Sequence, residues 1–233
     1  MNQVNSQTTF DSPFFPKDGK IQLSPAFDAI LKLPRVISMI EEAESREKKL
    51  LKMDVEINEN PFADSEILSG TGLESVLFLC LPFKTQPETA LLYSSSRDGF
   101  SIKKMHDFID NSGPVVFLLK KNEQIFGGFV STSINCEQKF FGSTKSFLFN
   151  LFYDTKIPFI GENSKCIFSS ENSIKFGSTD LILQNDFLDC KSEIESCFGV
   201  GFEKGSDDAK TFLAGSYQFI PDIVEVFGFV KSN

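Results

Sequence analysis

The sequence predicts an α+β fold: a two-layer antiparallel β-sandwich flanked by helices, preceded by a helical N-terminal extension. Three observations carry this. Beyond residue 114, short apolar and aromatic runs are punctuated by Gly, Asn, Asp and Ser, as antiparallel strands joined by turns require. Several of these runs, such as Phe147-Leu-Phe149 and Val224 to Phe229, are apolar on both alternating sets, which predicts cover on both faces. Helical spacing and capping patterns are read in the chain before residue 114, where the pattern changes.

A chain of 233 residues with 41% hydrophobic residues is long and apolar enough to bury one substantial core. We divide it into an arm and helical extension over residues 1–61 and a main domain over 62–233. With 27 Phe against 3 Tyr and no Trp, most aromatic surface lacks a polar handle and belongs in an interior or an apolar interface.

Residues 1 to 22 are polar, with Phe10, Phe14 and Phe15 among them and Pro13 and Pro16 interrupting; they read as an arm that docks through its Phe side chains. Ser24-Pro25 opens a short amphipathic helix that Pro34 stops. A second helix is expected from Val36 to about Met53, supported by Glu42/Arg46 and Glu44/Lys48 at i,i+4. Its middle has almost no apolar face, so it is an exposed connector or a fragment of coiled coil.

Thr71-Gly-Leu-Glu74 has the pattern of a capping box and opens a helix over Ser75 to Leu81, closed by Pro82. The next helix starts at Ser101, because Ile102, Met105 and Ile109 fall at i, i+3 and i+7. Strands are expected at Val115 to Leu119, Gln124 to Ser131, Ser146 to Phe152, Lys165 to Ser169, Asp180 to Leu183, Ser196 to Phe202 and Ile223 to Val230.

The formal net charge of -9 and a pI near 4.8 provide no footprint for phosphate backbones or anionic lipid, which argues against nucleic acid and favours a basic protein surface as partner. Cys80, Cys136, Cys166, Cys190 and Cys197 are odd in number and contain no Cys-x-x-Cys pair, so reduced thiols are the expectation. Cys80 and Cys166 lie in apolar or strand-like runs, and Cys190 has Asp186 and Asp189 before it, a setting for inert thiols. The N-terminus lacks secretory-signal character and no apolar stretch approaches bilayer length. We expect a cytoplasmic protein without membrane insertion, peripheral at most through a partner on the cytosolic face of an organelle.

Chemistry-bearing patterns are few. The single His106 sits on the predicted helix with no nucleophile motif beside it and reads as a partly exposed structural residue. No zinc spacing, phosphate-binding loop or full dinucleotide fingerprint occurs, so no cofactor is expected. Arg97-Asp98-Gly99 carries one of only three arginines; Asp98-Gly99 should turn the chain, with Arg97 tying the turn down or holding a partner carboxylate. Glu225 interrupts an otherwise apolar strand and is therefore either buried with hydrogen-bond donors or at a domain edge, with Arg97 one candidate partner.

An ordered series of segments adds a family likeness. Leu91-Leu-Tyr-Ser-Ser-Ser-Arg-Asp-Gly-Phe100 opens it. Gly113-Pro-Val-Val-Phe117, Ile125-Phe-Gly-Gly-Phe-Val130, Phe141 to Phe149, Gly161-Glu-Asn163, Phe176-Gly177 and Val224-Glu-Val-Phe-Gly-Phe229 follow. Together, over roughly residues 62 to 231, the chain resembles the TLDc domain. The resemblance implies a non-catalytic β-sandwich module linked to oxidation resistance and, in several members, to regulation of the vacuolar proton-pumping ATPase.

By that resemblance Arg97, Asp98, Glu162 and Asn163 are partner-contact candidates, joined by Phe14 and Phe15 of the arm. Where many relatives have Gly-Glu before the Phe-Leu-Phe strand, this chain has Thr144-Lys145-Ser146, a charge reversal that makes Lys145 a candidate for altered specificity. Gly99, Phe100, Gly127, Gly161, Glu225 and Phe227 are expected to serve the fold, Phe227 standing where a Trp is common. The leading expectation is a protein-binding regulator whose partner is the vacuolar-type ATPase, with no obligate homo-oligomer. The alternatives are a permanent component of a cytoskeletal or organellar assembly and a cysteine-based antioxidant.

Overall fold

The computed structural model describes residues 37, 40, 41, 44, 60–83, 87–161, 166–195, 197–199 and 201–229. Of the N-terminal expectations, Ile37, Ile40, Glu41 and Glu44 are helical, as the second helix requires. The arm with Phe10, Phe14 and Phe15, and the helix opened by Ser24, lie outside the described residues.

From residue 60 onward the described residues form four α-helices, one 3-10 turn (Asn185–Phe187) and twelve strands. The helices are α1 (Glu74–Cys80), α2 (Ser95–Asp98), α3 (Ile102–Ile109) and α4 (Asp207–Thr211). The strands are β1 (Thr89–Ser94), β2 (Val115–Lys121), β3 (Gln124–Val130), β4 (Lys139–Phe141), β5 (Phe147–Asn150), β6 (Thr155–Pro158), β7 (Ile167–Ser170), β8 (Ser173–Phe176), β9 (Leu181–Gln184), β10 (Cys190–Lys191), β11 (Gln218–Phe219) and β12 (Ile223–Phe229). They form two antiparallel six-stranded sheets, ordered β1-β12-β2-β3-β5-β6 and β11-β10-β9-β8-β7-β4. This is the predicted sandwich.

Alternation explains the layering. In β2, Val115, Phe117 and Leu119 enter the core shared with Ile167, Ile174, Phe176, Leu181 and Leu183 of the second sheet. The intervening Val116 and Leu118 enter a separate cluster with Phe62, Ile67, Leu68, Leu77 and Leu81. The first sheet is therefore covered on both faces, as its two-sided apolar strands required. Each fully buried Phe in these layers contributes about 1.5–3 kcal/mol. Phe227 meets Phe62 edge-on, with ring centroids 5.2 Å apart.

Two glycines set the spacing. A Cβ on Gly127 would lie 1.9 Å from the Phe117 carbonyl oxygen, and one on Gly128 would lie 2.4 Å from the Phe176 ring. Gly128 thus admits an aromatic ring from the facing sheet. Gly161 is crowded in the same way by the Phe159 ring, at 2.6 Å.

Several local expectations change. Helix α1 forms and its C-cap residue Leu81 is extended before Pro82, but Thr71 is not its N-cap. That place belongs to Leu73; the Thr71 hydroxyl donates to the Leu68 carbonyl, and Glu74 accepts from Asn60. Helix α3 starts as expected, with Ser101 accepting from the Lys104 amide. No strand runs over Ser196 to Phe202; Phe198 makes one isolated bridge with Phe159, and Ser196 and Val200 are outside the described residues. Phe100 is 43% exposed and touches Phe187 edge-on, so its fold role is a cover rather than a core position.

Candidate functional site

The turn after β1 is built by a mismatch in the ladder. Leu91 pairs with Phe227 and Tyr93 with Val226, which leaves Leu92 as a bulge residue without a partner in β12. The Leu92 carbonyl, freed from the ladder, accepts from Arg97 Nη2 at 2.9 Å. The same guanidinium reaches the Asp98 carboxylate at 2.8 Å, and Asp98 in turn accepts from the Ser94 amide at 3.1 Å. The Arg97 hydrogen bond holds the Asp98 carboxyl below its ordinary range, and Asp98 raises Arg97.

Gly99 then turns the chain at φ +79°, a conformation an L side chain resists. Its carbonyl accepts from the Tyr93 hydroxyl at 2.6 Å, and burial raises that phenol. Lys104 Nζ donates to the Asp98 carbonyl, Asp186 caps α3 through the Ile102 amide, and Ser95 Oγ accepts from the Val224 amide. The turn lock thus fastens β1, α3 and β12 together. The Arg97 side chain remains 51% exposed.

Glu225 is fully buried, as one branch of the expectation held, but Arg97 is not its partner. Its carboxylate accepts from Ser65 Oγ at 2.5 Å and from the Glu66 amide at 2.7 Å. The segment that covers the outer face of the first sheet supplies these donors, while Arg97 is occupied by Asp98 and Leu92. Burial nevertheless raises the Glu225 carboxyl above its usual value, because the donors offset only part of the desolvation.

Lys145 lies exposed in the loop before β5. Ser131, Ser143 and Ser146 hold that loop: Ser131 Oγ lies 2.7 Å from Ser143 Oγ and 3.0 Å from Ser146 Oγ. Arg97 follows β1 and Lys145 precedes β5, and three strands separate β1 from β5 in the sheet order, a spacing of about 19 Å between those two strands. They do not form one patch. Glu162 and Asn163 lie outside the described residues.

A third cluster was missed in the sequence. His106 is buried, correcting the expectation of partial exposure, because α3 presses it against the second sheet. Its Nδ1 lies 2.7 Å from Asp110 Oδ1, and its Nε2 lies 3.5 Å from Ser169 Oγ. Cys136 joins them, with ligand-type atoms of all three residues within 4.8 Å of one another. Burial, reinforced by Asp110, pushes the Cys136 thiol up to about 11. The i,i+4 placement of His106 and Asp110 was readable on a helix; the arrival of Cys136 was not.

The TLDc domain family model matches residues 62–230. The chain belongs to the TLDc domain family. Among curated proteins, this TLDc chain is 27% identical over 175 residues to the MTOR-associated protein MEAK7 of Gallus gallus, covering 69% of this chain and 36% of that protein. The Xenopus laevis MEAK7 is 26% identical over 159 residues, covering 63% and 33% of the two chains. The human MEAK7 is 30% identical over 97 residues, covering 38% and 21%. The TLDc chain thus spans about a third of the length of the first of these relatives. Among its described residues, no helix is long and apolar enough to cross a membrane.

Proposed function

We propose that this TLDc protein is a non-catalytic binding regulator that docks on a larger protein assembly, the vacuolar-type proton ATPase being the partner, and so supports resistance to oxidative stress. The observation that carries this is the Arg97 guanidinium. Two anchors, Leu92 O and Asp98, fix it at the protein surface while leaving the side chain 51% exposed. A preorganised arginine gives up little side-chain entropy on meeting a partner carboxylate. The name of the MEAK7 relatives, MTOR-associated protein, supports the same class of association with a protein assembly.

Affinity purification of the full chain from lysate at mild salt, alongside Arg97→Ala, tests the reading. Recovery of proton-ATPase subunits by the wild type and their loss with Arg97→Ala is the expected result. Recovery unchanged by that substitution removes the turn from the interface, and a pool of copurifying proteins without ATPase subunits replaces the partner.

A further inference from the structure

We propose that His106, Asp110 and Cys136 form a binding site for one thiophilic divalent cation of the zinc class. Imidazole, carboxylate and thiolate are the donor set that such an ion takes, with three protein ligands and a fourth position left for water. Among the described residues this is the one group of three such donors brought within 4.8 Å.

The fold constructs the cluster from two sides. His106 and Asp110 share one face of α3 at i,i+4, and Asp110 is fixed at the helix C-cap with an extended backbone. There it bridges to Ile134, and the following Asn111 amide donates to the Ile134 carbonyl at 2.9 Å. Four residues later the Gln138 amide donates to the Ser169 carbonyl at 3.1 Å, on β7. The short segment carrying Cys136 is therefore pinned at both ends, one end beside the helix and the other beside Ser169. Ile134, at the first clamp, is itself buried in the core, and Cys136 between the two clamps is half-buried.

Electrostatics points the same way. The Asp110 carboxylate accepts from both the His106 ring and the Cys136 thiol. Asp107 and Glu171 add further negative charge around the sulfur. Three acidic residues, Asp107, Asp110 and Glu171, therefore act on the Cys136 sulfur, an arrangement that favours a cation.

Bond lengths of about 2.0–2.3 Å to such an ion place tetrahedral donors about 3.3–3.8 Å apart. The His106–Asp110 contact of 2.7 Å opens slightly, and the sulfur moves in through a change of rotamer. The proton balance is simple. The thiol proton leaves to solvent as the metal–sulfur bond forms. The ring hydrogen is carried on Nε2 once Nδ1 binds metal, where Ser169 Oγ is placed to accept it. No electron is transferred.

The test uses the full chain, reduced and freed of metal by chelator, titrated with zinc by calorimetry and with cobalt(II) by absorption. Uptake of one ion per chain, release of a proton and a thiolate-to-cobalt charge-transfer band are expected. Cys136→Ser abolishes the band and weakens zinc binding about 100-fold or more, while Cys197→Ser leaves both unchanged. Asp110→Asn provides an independent variant and also weakens binding if Cys136→Ser fails to fold. Zinc uptake equal in wild type, Cys136→Ser and Asp110→Asn overturns the proposal, as does a wild-type chain that takes up neither ion.

Discussion

Ser65 and Glu225 are 160 positions apart in sequence and 2.5 Å apart in space. The bond fastens the segment over the outer face of the first sheet to the strand beneath it, and the Glu66 amide repeats the contact at 2.7 Å. Replacing Glu225 with Ala leaves these donors unpaired inside the protein, so Glu225→Ala should cost about 2–3 kcal/mol in urea unfolding.

The pH dependence of Glu225 has a defined sign. Its folded-state value is raised, so the native chain holds the proton more tightly than the unfolded chain. Its contribution is fully present below the ordinary carboxylate range and is lost as pH rises through the raised value. Glu225→Gln should flatten that decline. Unfolding midpoints across about pH 4.5 to 8 for both proteins measure it.

Asp98 has the opposite sign, because the Arg97 hydrogen bond lowers its value. Its contribution is present above the ordinary carboxylate range and is lost as pH falls through the depressed value. The pair sits at the surface and is screened, so a double-mutant cycle of Arg97→Ala and Asp98→Asn should return a coupling of about 0.2–1 kcal/mol, smaller at high salt.

The two adjacent glycines of β3 should respond unequally to alanine. At Gly127 the new methyl meets backbone, the Phe117 carbonyl, which cannot swing away; at Gly128 it meets the Phe176 ring, which can shift. Gly127→Ala should cost about 3 kcal/mol or more and Gly128→Ala about 1–3 kcal/mol. Thermal unfolding of the two variants orders them.

Burial pushes the Cys190 thiol from 9.0 up to about 12. At neutral pH its thiolate fraction is on the order of 1000-fold below that of a thiol at the ordinary value. Mass spectrometry of the folded chain after iodoacetamide treatment should find Cys190 unmodified, with modification appearing only after denaturation.

The two-layer body was readable because Val115 to Leu119 and Val224 to Phe229 carry apolar residues on both alternating sets, a pattern that only doubly covered strands need. Strands such as Ser173–Phe176 and Thr155–Pro158 were missed: Lys175 and Lys156 interrupt them, and pairing with neighbours rather than composition makes them strands. Thr71 and Glu74 had the letters of a capping box, yet the Thr71 hydroxyl bonds back to Leu68 in the preceding turn and Glu74 is taken by Asn60. For the candidate sites the limit was sharper. Arg97 and Asp98 are neighbours in sequence, so their lock was legible, whereas the meeting of Cys136 with His106 and of Ser65 with Glu225 depends on long-range closure that leaves no local signature.

The last strand of the domain lies inside its sheet, between β1 and β2. A ribosome therefore releases every other strand of that sheet before the one that joins its first strand to the rest, and β1 waits unpaired along its inner edge until residues 223–229 emerge. Assembly of this domain is consequently deferred to the end of its synthesis, and the exposed edge that persists until then is a substrate for chaperones and a risk for misassociation.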